Sequence, residues 1–328
     1  MDTEYRWSTI TRDDVEAWAG LVNHLGDVDG TEEYYAAEDL AEELDSSQLD
    51  PARDTFAVWA DDQLVAFGKV TVKSTPDRDG LVGAQLDGGV HADHRRRGLG
   101  RELMARLEAR AAEKGGEQHD GAEGYFGIAG ARAGSATQAF HESRGYQVAR
   151  WFNLMARPLT SGETAADVLD GRAAPPGVRF RRPGPDDEAA VREAHAAAFA
   201  DHWGSAPPDP ARWHESWTAR STRHAVSRLA VDDDGVVLAY SLASQWEERA
   251  AYLDLVGTVP SARGTGLGSA VLAESIAAAA ATGDYDLIEL DVDSDSLTGA
   301  TRIYERLGFT LKFATSAMRR PVTFGGTA

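Results

Sequence analysis

One six-residue pattern occurs twice in this chain, in the same setting each time. Arg95-Arg96-Arg97-Gly98-Leu99-Gly100 heads a helical stretch running to about Lys114, and Arg263-Gly264-Thr265-Gly266-Leu267-Gly268 heads another running to about Thr282. Each follows a short apolar, strand-like segment, Ala84 to Val90 in one case and Tyr252 to Val259 in the other. Downstream, Ala136–Tyr146 and Ala300–Phe309 both read as a short helix closed by a glycine, with an aromatic then entering a strand. Upstream, Phe56–Ala60 and Leu64–Val72 flank Asp61-Asp62-Gln63 as a hairpin, and Ser227–Val231 and Val236–Leu242 flank Asp232-Asp233-Asp234-Gly235 in the same way. Helical patterns at Arg12–His24 and Asp186–Ala200 precede the two hairpins. Self-similarity with matched flanks means a duplicated unit.

Each half therefore reads helix, helix, strand, strand, strand, helix, strand, helix, strand, an α/β domain. A chain of 328 residues has room for two such domains, each with its own core. The spacing predicts a first domain over 1–158 and a second over 178–328. Between them, 159–177 is rich in Gly, Pro, Ser and Ala and suits an exposed linker.

Composition narrows the function. A hydrophobic fraction of 42% and a charged fraction of 26% are those of a globular protein. No apolar run approaches the roughly 18 residues of a membrane span, and the first residues carry no secretion signal, so the chain is expected to be cytoplasmic with no membrane partner. With no cysteine, disulfides, thiolate metal sites and a cysteine nucleophile are excluded. The nine histidines show no metal-ligand spacing, so no metal is expected. Asp291-Val292-Asp293-Ser294-Asp295 resembles the start of a calcium loop, but Ser296 stands where that loop needs glycine and Arg302 where it needs glutamate. A net charge of −20 repels a phosphate backbone and argues against nucleic acid. The same field draws in a cationic substrate, although acidity also serves solubility or tolerance of salt. Oligomeric state is not encoded in any of these features.

The repeated hexapeptide carries the chemistry. At a strand-to-helix junction, missing side chains let the backbone approach a ligand, helix-start N–H groups attract anions, and an arginine adds fixed charge. Together they suit a pyrophosphate. The nucleotide-loop pattern Gly-x-x-x-x-Gly-Lys-Ser/Thr is absent from both halves, and the dinucleotide fingerprint fails because Ser269 and Leu103 stand where its third glycine belongs.

The spacing Arg-x-x-Gly-x-Gly resembles the acyl-CoA pyrophosphate loop of the GNAT superfamily, and the likeness spans the whole chain, as in other tandem-GNAT proteins. It implies two domains, each a mixed, mostly antiparallel sheet flanked by helices and splayed around the acyl-CoA arm. It implies an acyl-CoA-dependent N-acyltransferase with acetyl-CoA as co-substrate and a small primary amine as acceptor. The loop residues Arg263, Gly264, Thr265, Gly266, Leu267, Gly268 and Ser269 would hold the pyrophosphate, and Gly257 and Thr258 would polarise the thioester. The family's base is commonly a carboxylate nine residues before the loop arginine, which is Asp254 in the second half and Leu86 in the first, where Asp87 lies one place off on the opposite side of the strand. Its acid is commonly a tyrosine of the later helix, Tyr304 in the second half but Phe140 in the first. Pro260 matches the family's proline before the loop, and Ala92 does not. The second half thus reads as catalytic and the first as degenerate, its loop (Arg95, Arg96, Arg97, Gly98, Leu99, Gly100) still suited to CoA. Ser296 takes the place of an asparagine that often bonds the pantetheine arm. His202, Trp203, Trp213, His214 and Trp217 fall where the family's substrate side lies, and either shape the acceptor pocket or simply pack. Two further readings fit the same residues: a longer acyl-CoA in an antibiotic-modifying or biosynthetic enzyme, and a non-catalytic CoA-binding protein.

Overall fold

The computed structural model describes residues 4–171, 173, 175–295 and 299–325. The chain packs as two compact units, one taking in residues up to Arg150 and from Thr315 onward, the other Trp151–Ala314. In chain order the first holds β1 (Tyr5–Ser8), α1 (Val15–Asp29), α2 (Ala37–Leu44), α3 (Pro51–Asp54), β2 (Thr55–Ala60), β3 (Gln63–Val72), β4 (Val82–Val90), α4 (Leu99–Gln118), β5 (Glu123–Arg132), α5 (Ala136–Glu142) and the start of β6 (Gln147–Pro158). The second holds the rest of β6, then α6 (Ala165–Val168), β7 (Arg179–Arg181), α7 (Glu188–Phe199), α8 (Pro210–Thr218), β8 (Arg228–Val231), β9 (Val237–Ser244), β10 (Ala250–Thr258), α9 (Leu267–Thr282), β11 (Leu287–Asp293), α10 (Ala300–Arg306) and the start of β12 (Thr310–Thr323).

Within the first unit the strand order is β1-β2-β3-β4-β5-β12, antiparallel except for β4 beside β5. Within the second it is β7-β8-β9-β10-β11-β6, antiparallel except for β10 beside β11. Both are the mixed, mostly antiparallel sheets that the family resemblance implied. In the first unit, Leu99, Leu103, Leu107 and Ala111 recur every four residues along α4 and bury against Val58, Val65, Val70 and Leu86. The other face is covered by Trp18, Leu21 and Val22 of α1 with Leu40 and Leu44 of α2. A fully buried carboxylate, Asp54, pins α3 to α4 through Arg110 at 2.8 Å and Lys114. Such a charge is tolerated inside a protein only because it is paired.

Three features depart from the sequence reading. The short edge strands β1 and β7, of four and three residues, open the two units ahead of the helices. Runs this short carry no period-2 signal and exist by pairing with β2 and β8. The unit boundaries fall inside strands, because residue register and not linker composition decides them: β6 pairs with β11 from Phe152 to Pro158, and β12 pairs with β5 from Thr315 to Thr323. Each unit thus receives its last strand from the other half of the sequence. The segment read as an exposed linker carries α6, capped by Thr164 and Asp167, and buries Val168 and Leu169 in the second core. A two-pronged Arg157–Glu163 ion pair at 2.6 and 2.8 Å holds its entry.

The returning strand contributes to the first core. Met318 and Phe324 are each 1% exposed there, and Phe324 lies so close to Gly115 and Gly124 that a Cβ at either would overlap its ring. Truncating a core phenylalanine costs about 3–5 kcal/mol. Phe324→Ala is therefore expected to destabilise the first unit by about that much, read as an earlier unfolding transition in urea, and a fragment ending at residue 158 should not fold stably.

Candidate active site

The two glycine loops adopt the same backbone. Arg263 lies at φ −66, ψ 152 and Arg95 at φ −68, ψ 162; Gly264 (φ 77) and Arg96 (φ 64) then turn left-handed, and Gly266 (φ 87) and Gly98 (φ 91) start α9 and α4 in the left-handed region. Neither helix start has a side-chain cap, and a Cβ at Gly264, Gly266 or Gly98 would meet nothing within 4 Å. The first-turn N–H groups of Leu267, Gly268 and Ser269 have no partner within their own helix, which is the anion-binding arrangement of a helix N-terminus. The arginines do something the pattern did not announce. Arg263 donates to the carbonyls of Thr258 (3.4 Å) and Ala198 (2.8 Å), and Arg95 to the carbonyl of Val90 (2.9 Å) and to both oxygens of Asp29 (2.7 and 2.8 Å). Each braces the end of its strand against the preceding helix end. The Thr265 hydroxyl is likewise spent on the Ala262 carbonyl at 2.7 Å. Arg96 and Arg97 are exposed.

Ahead of each loop, a parallel pair of strands opens. β4 pairs with β5 only over Val82–Gln85, and β10 with β11 only over Ala250–Tyr252. At the second opening the Tyr252 hydroxyl reaches across to Asp291 at 2.8 Å. There the two units differ. The ladder of β3 with β4 runs without a break from Ala66–Val90 to Val72–Ala84, whereas that of β9 with β10 slips between Leu253 and Leu255. Asp254 is the extra residue of a β-bulge. The bulge also explains why Leu253 and Leu255, two apart, pack into different core clusters, where a regular strand would put them on one face. Counting nine back from each loop arginine paired Asp254 with Leu86, but register pairs Leu86–Val70 with Leu253–Ala243, so the first unit has no counterpart of Asp254. Leu86 is buried at 1% exposure, and Asp87 emerges on the opposite side, as strand alternation required.

The bulge turns the Asp254 side chain toward Ser244 at the end of β9 and Trp246 just after it. It keeps a solvent-facing side, but the surrounding protein strips hydration and pushes its pKa up to about 6, while the side chains of Ser244 and Trp246 pull the other way. Tyr304 of α10 packs into the second core, edge-on to Phe309, and burial pushes its phenol up to about 12. The amide phase of β10 is set by Val259, whose N–H donates to the Leu238 carbonyl at 3.0 Å. Antiparallel alternation then turns the N–H of Gly257 toward β9 and those of Val256 and Thr258 toward the opening. Of the expected Gly257–Thr258 pair, only Thr258 thus offers its amide. Gly257 serves by its bareness, because a Cβ there would overlap the Tyr240 ring. The Tyr240 hydroxyl and Nδ1 of His195 share a hydrogen bond at 2.7 Å; burial raises the phenol and, with His202, lowers the imidazole to about 4. His195 also stacks on Phe199 and tilts against Trp213, so Trp213 belongs to a packed aromatic cluster. The Tyr240–His195 pair went unnoticed in the sequence because a lone histidine on a helix and a strand tyrosine carry no motif. Ser296 lies outside the described residues.

A parallel strand pair that opens ahead of a glycine loop at a helix start is the arrangement that the resemblance implies for an acyl-CoA-dependent acyltransferase. The chain belongs to the acetyltransferase (GNAT) family, whose model matches residues 17–124 and 189–309. It is 33% identical over 257 residues to the mycothiol acetyltransferase of Kineococcus radiotolerans, covering 76% of each chain. It is 31% identical over 305 residues to that of Salinispora arenicola, covering 88% of this chain and 87% of the relative. Among solved structures it is similar to a GCN5-related N-acetyltransferase from Sphaerobacter thermophilus (TM-score 0.76, 25% identity, 100% and 98% covered). A tandem GNAT protein from the clavulanic acid biosynthesis pathway shares the fold (TM-score 0.71, 17% identity, 99% and 100% covered). The protein is a tandem-domain, acyl-CoA-dependent N-acetyltransferase that transfers acetyl to an amine.

The raised pKa of Asp254 has a signed consequence. A carboxylate that titrates higher when folded favours the fold while protonated, and that contribution is lost as pH rises from about 3.8 through about 6. Asp254→Asn is therefore expected to raise the melting temperature at pH 7 and to leave it unchanged near pH 3, measured by thermal unfolding at both values.

Proposed function

We propose that the second unit carries the reaction, moving an acetyl group from acetyl-CoA to the primary amine of a small cationic molecule within one ternary complex. The observation that carries this reading is the bulge: β10 inserts Asp254 as an extra residue, and the β3–β4 ladder of the first unit runs without one. With a pKa of about 6, Asp254 is mostly ionised at neutral pH yet close enough to it to take the ammonium proton, directly or through water. The freed amine nitrogen attacks the thioester carbon, and the oxygen that becomes negative is met by the N–H of Thr258. As the carbon–sulfur bond breaks, Tyr304, held protonated by its burial, offers its hydroxyl to the leaving thiolate. Leu267, Gly268 and Ser269 supply the pyrophosphate N–H donors, with Gly264 and Gly266 keeping the approach open and Arg263 bracing the loop. The first unit, with Phe140 in place of Tyr304 and no bulge, holds CoA at Arg95–Gly100 without turning it over. The net charge of −20 favours a cationic acceptor. The names of the curated relatives make deacetylated mycothiol the first acceptor to try. A cytoplasmic setting fits this chemistry.

The test is acetyl-CoA with deacetylated mycothiol and a panel of other small amines, the acetylated product being read by mass spectrometry. Asp254→Asn is expected to lower kcat by about 10²–10⁴-fold, the range for removing a general base. Tyr304→Phe should lower kcat more than it raises KM. An unchanged kcat in Asp254→Asn would remove the base assignment, and CoA binding with no transfer to any amine would favour the non-catalytic reading. In calorimetry, Gly266→Asp should abolish acetyl-CoA binding in the second unit and Gly98→Asp in the first, each through a carboxylate set against the pyrophosphate.

A further inference from the structure

Register sets Tyr240 of β9 directly opposite Gly257 of β10, and a Cβ on that glycine would overlap both the Tyr240 ring and its hydroxyl oxygen. The ring fills the space that a side chain would take. Its hydroxyl meets Nδ1 of His195 on α7 at 2.7 Å. His195 is held in turn by Phe199, stacked with 4.5 Å between ring centres, and by Trp213 at 5.1 Å. Tyr240 is fully buried, so its ring is fixed by what surrounds it. One residue further along β10, Arg263 donates to the Thr258 carbonyl and also to the Ala198 carbonyl of α7. The last two residues of β10 are thus tied to one helix twice, by the phenol at Gly257 and by the guanidinium at Thr258.

The first unit makes the same fold without the first of these ties. Gly89 stands ahead of Arg95 as Gly257 stands ahead of Arg263, and its cross-strand partner is Phe67, which has no hydroxyl. Phe67 packs on Trp18, and Leu25 of α1 closes over Gly89 so tightly that a Cβ there would overlap its Cδ1. Apolar contact therefore suffices to hold a helix against that strand. Burying a phenol and an imidazole adds nothing to such packing and obliges the two polar groups to find each other. What the pair adds is direction, because a hydrogen bond fixes distance and angle together. The unit that has this bond is also the one that has the bulge and Tyr304.

We propose that Tyr240 and His195 are positioning residues for acetyl transfer, their hydrogen bond holding the Gly257–Thr258 segment so that the Thr258 amide meets the thioester oxygen. This rests on the reading above that the Thr258 amide polarises that carbonyl. Both side chains act through the backbone and move no proton. Burial lowers the His195 imidazole to about 4, which leaves it neutral at pH 7 and keeps charge away from the pair. A misplacement of about 1 Å can lower a rate about 10²-fold, so a loosened amide is felt in kcat.

Isotope-edited difference infrared spectroscopy of carbonyl-labelled acetyl-CoA on the full chain tests the proposal, with kcat and KM measured alongside. A band from acetyl-CoA held by the first unit is common to all variants and cancels in their differences. In the wild type, the bound carbonyl stretch is expected below that of free acetyl-CoA, the mark of a polarised carbonyl. Tyr240→Phe keeps the ring and removes the bond; it should move the stretch toward the free value and lower kcat about tenfold, the worth of one directed hydrogen bond, with little change in KM. His195→Leu should do the same, and the double variant no more than either, as befits two ends of one bond. His195→Asn, whose amide stands where Nδ1 does, should restore both readings. A role in packing alone would lower the melting temperature and leave the stretch of the bound molecule where it is. An unmoved stretch in Tyr240→Phe overturns the proposal whatever happens to kcat, as does a double variant that multiplies the two single losses. A wild-type stretch equal to that of free acetyl-CoA instead removes the polarising role of Thr258, and the proposal falls with that reading. Should His195→Leu fail to fold, Tyr240→Phe decides.

Discussion

The pairing of β10 with β11 lasts for three residues and stops at Tyr252, and the site is built on that stop. A parallel pair that continued would spend the amides of Val256 and Thr258 on its neighbour and leave nothing to face a carbonyl. The bulge at Asp254 comes immediately after the last paired residue, where an inserted residue disturbs only the antiparallel ladder on the β9 side. The insertion moves the leucine after it to the other face of the sheet and leaves Asp254 as the extra residue, its side chain beside Ser244 and Trp246. In the first unit β4 parts from β5 in the same way but without the insertion.

Exchange of the last strands makes each half of the sequence necessary to the other, independently of any ligand. β11 takes its antiparallel neighbour from Phe152–Pro158, and β5 takes its own from Thr315–Thr323. An unpaired β5 or β11 would leave a row of backbone donors and acceptors exposed. The cores depend on the exchange as well, through Met155 in one and Met318 and Phe324 in the other. Loss of either half of the sequence would therefore open the sheet of the unit that remained.

Much of this was legible because it rests on local rules. Glycines at positive φ, helix starts, hairpin turns and a period-4 apolar stripe are written in consecutive residues, and both loops and both long helices followed from them. Spacing found Asp254 but for an incomplete reason. Counting back from the arginine assumes equal strands, and the bulge that makes the residue special is a matter of register between strands distant in sequence. The arginines were misjudged for a related reason, since nothing near Arg95 or Arg263 in sequence announces Asp29 or the Ala198 carbonyl as partners. Val168 and Leu169 show the limit of composition. Two apolar residues in a Gly- and Pro-rich stretch were enough to turn a supposed linker into part of a core.

The two loops are the place where the degenerate half retains most. Their dihedrals coincide residue by residue, yet where the second unit uses Gly264 the first places Arg96 in the left-handed region. For an ordinary L-residue that conformation costs about 1 kcal/mol, and a glycine would remove the cost in a single substitution. A loop under no constraint but folding would be expected to relax in that way. Arg96 is exposed beside Arg97 at an uncapped helix start, so its charge is available to an anion and contributes little to the packing of its own unit. In the second unit Gly264 and Thr265 add no charge to the loop. The strain at Arg96 is the counterpart of that difference: the first unit tolerates a less comfortable backbone and gains a cationic loop, while the second keeps a relaxed, uncharged turn at Gly264.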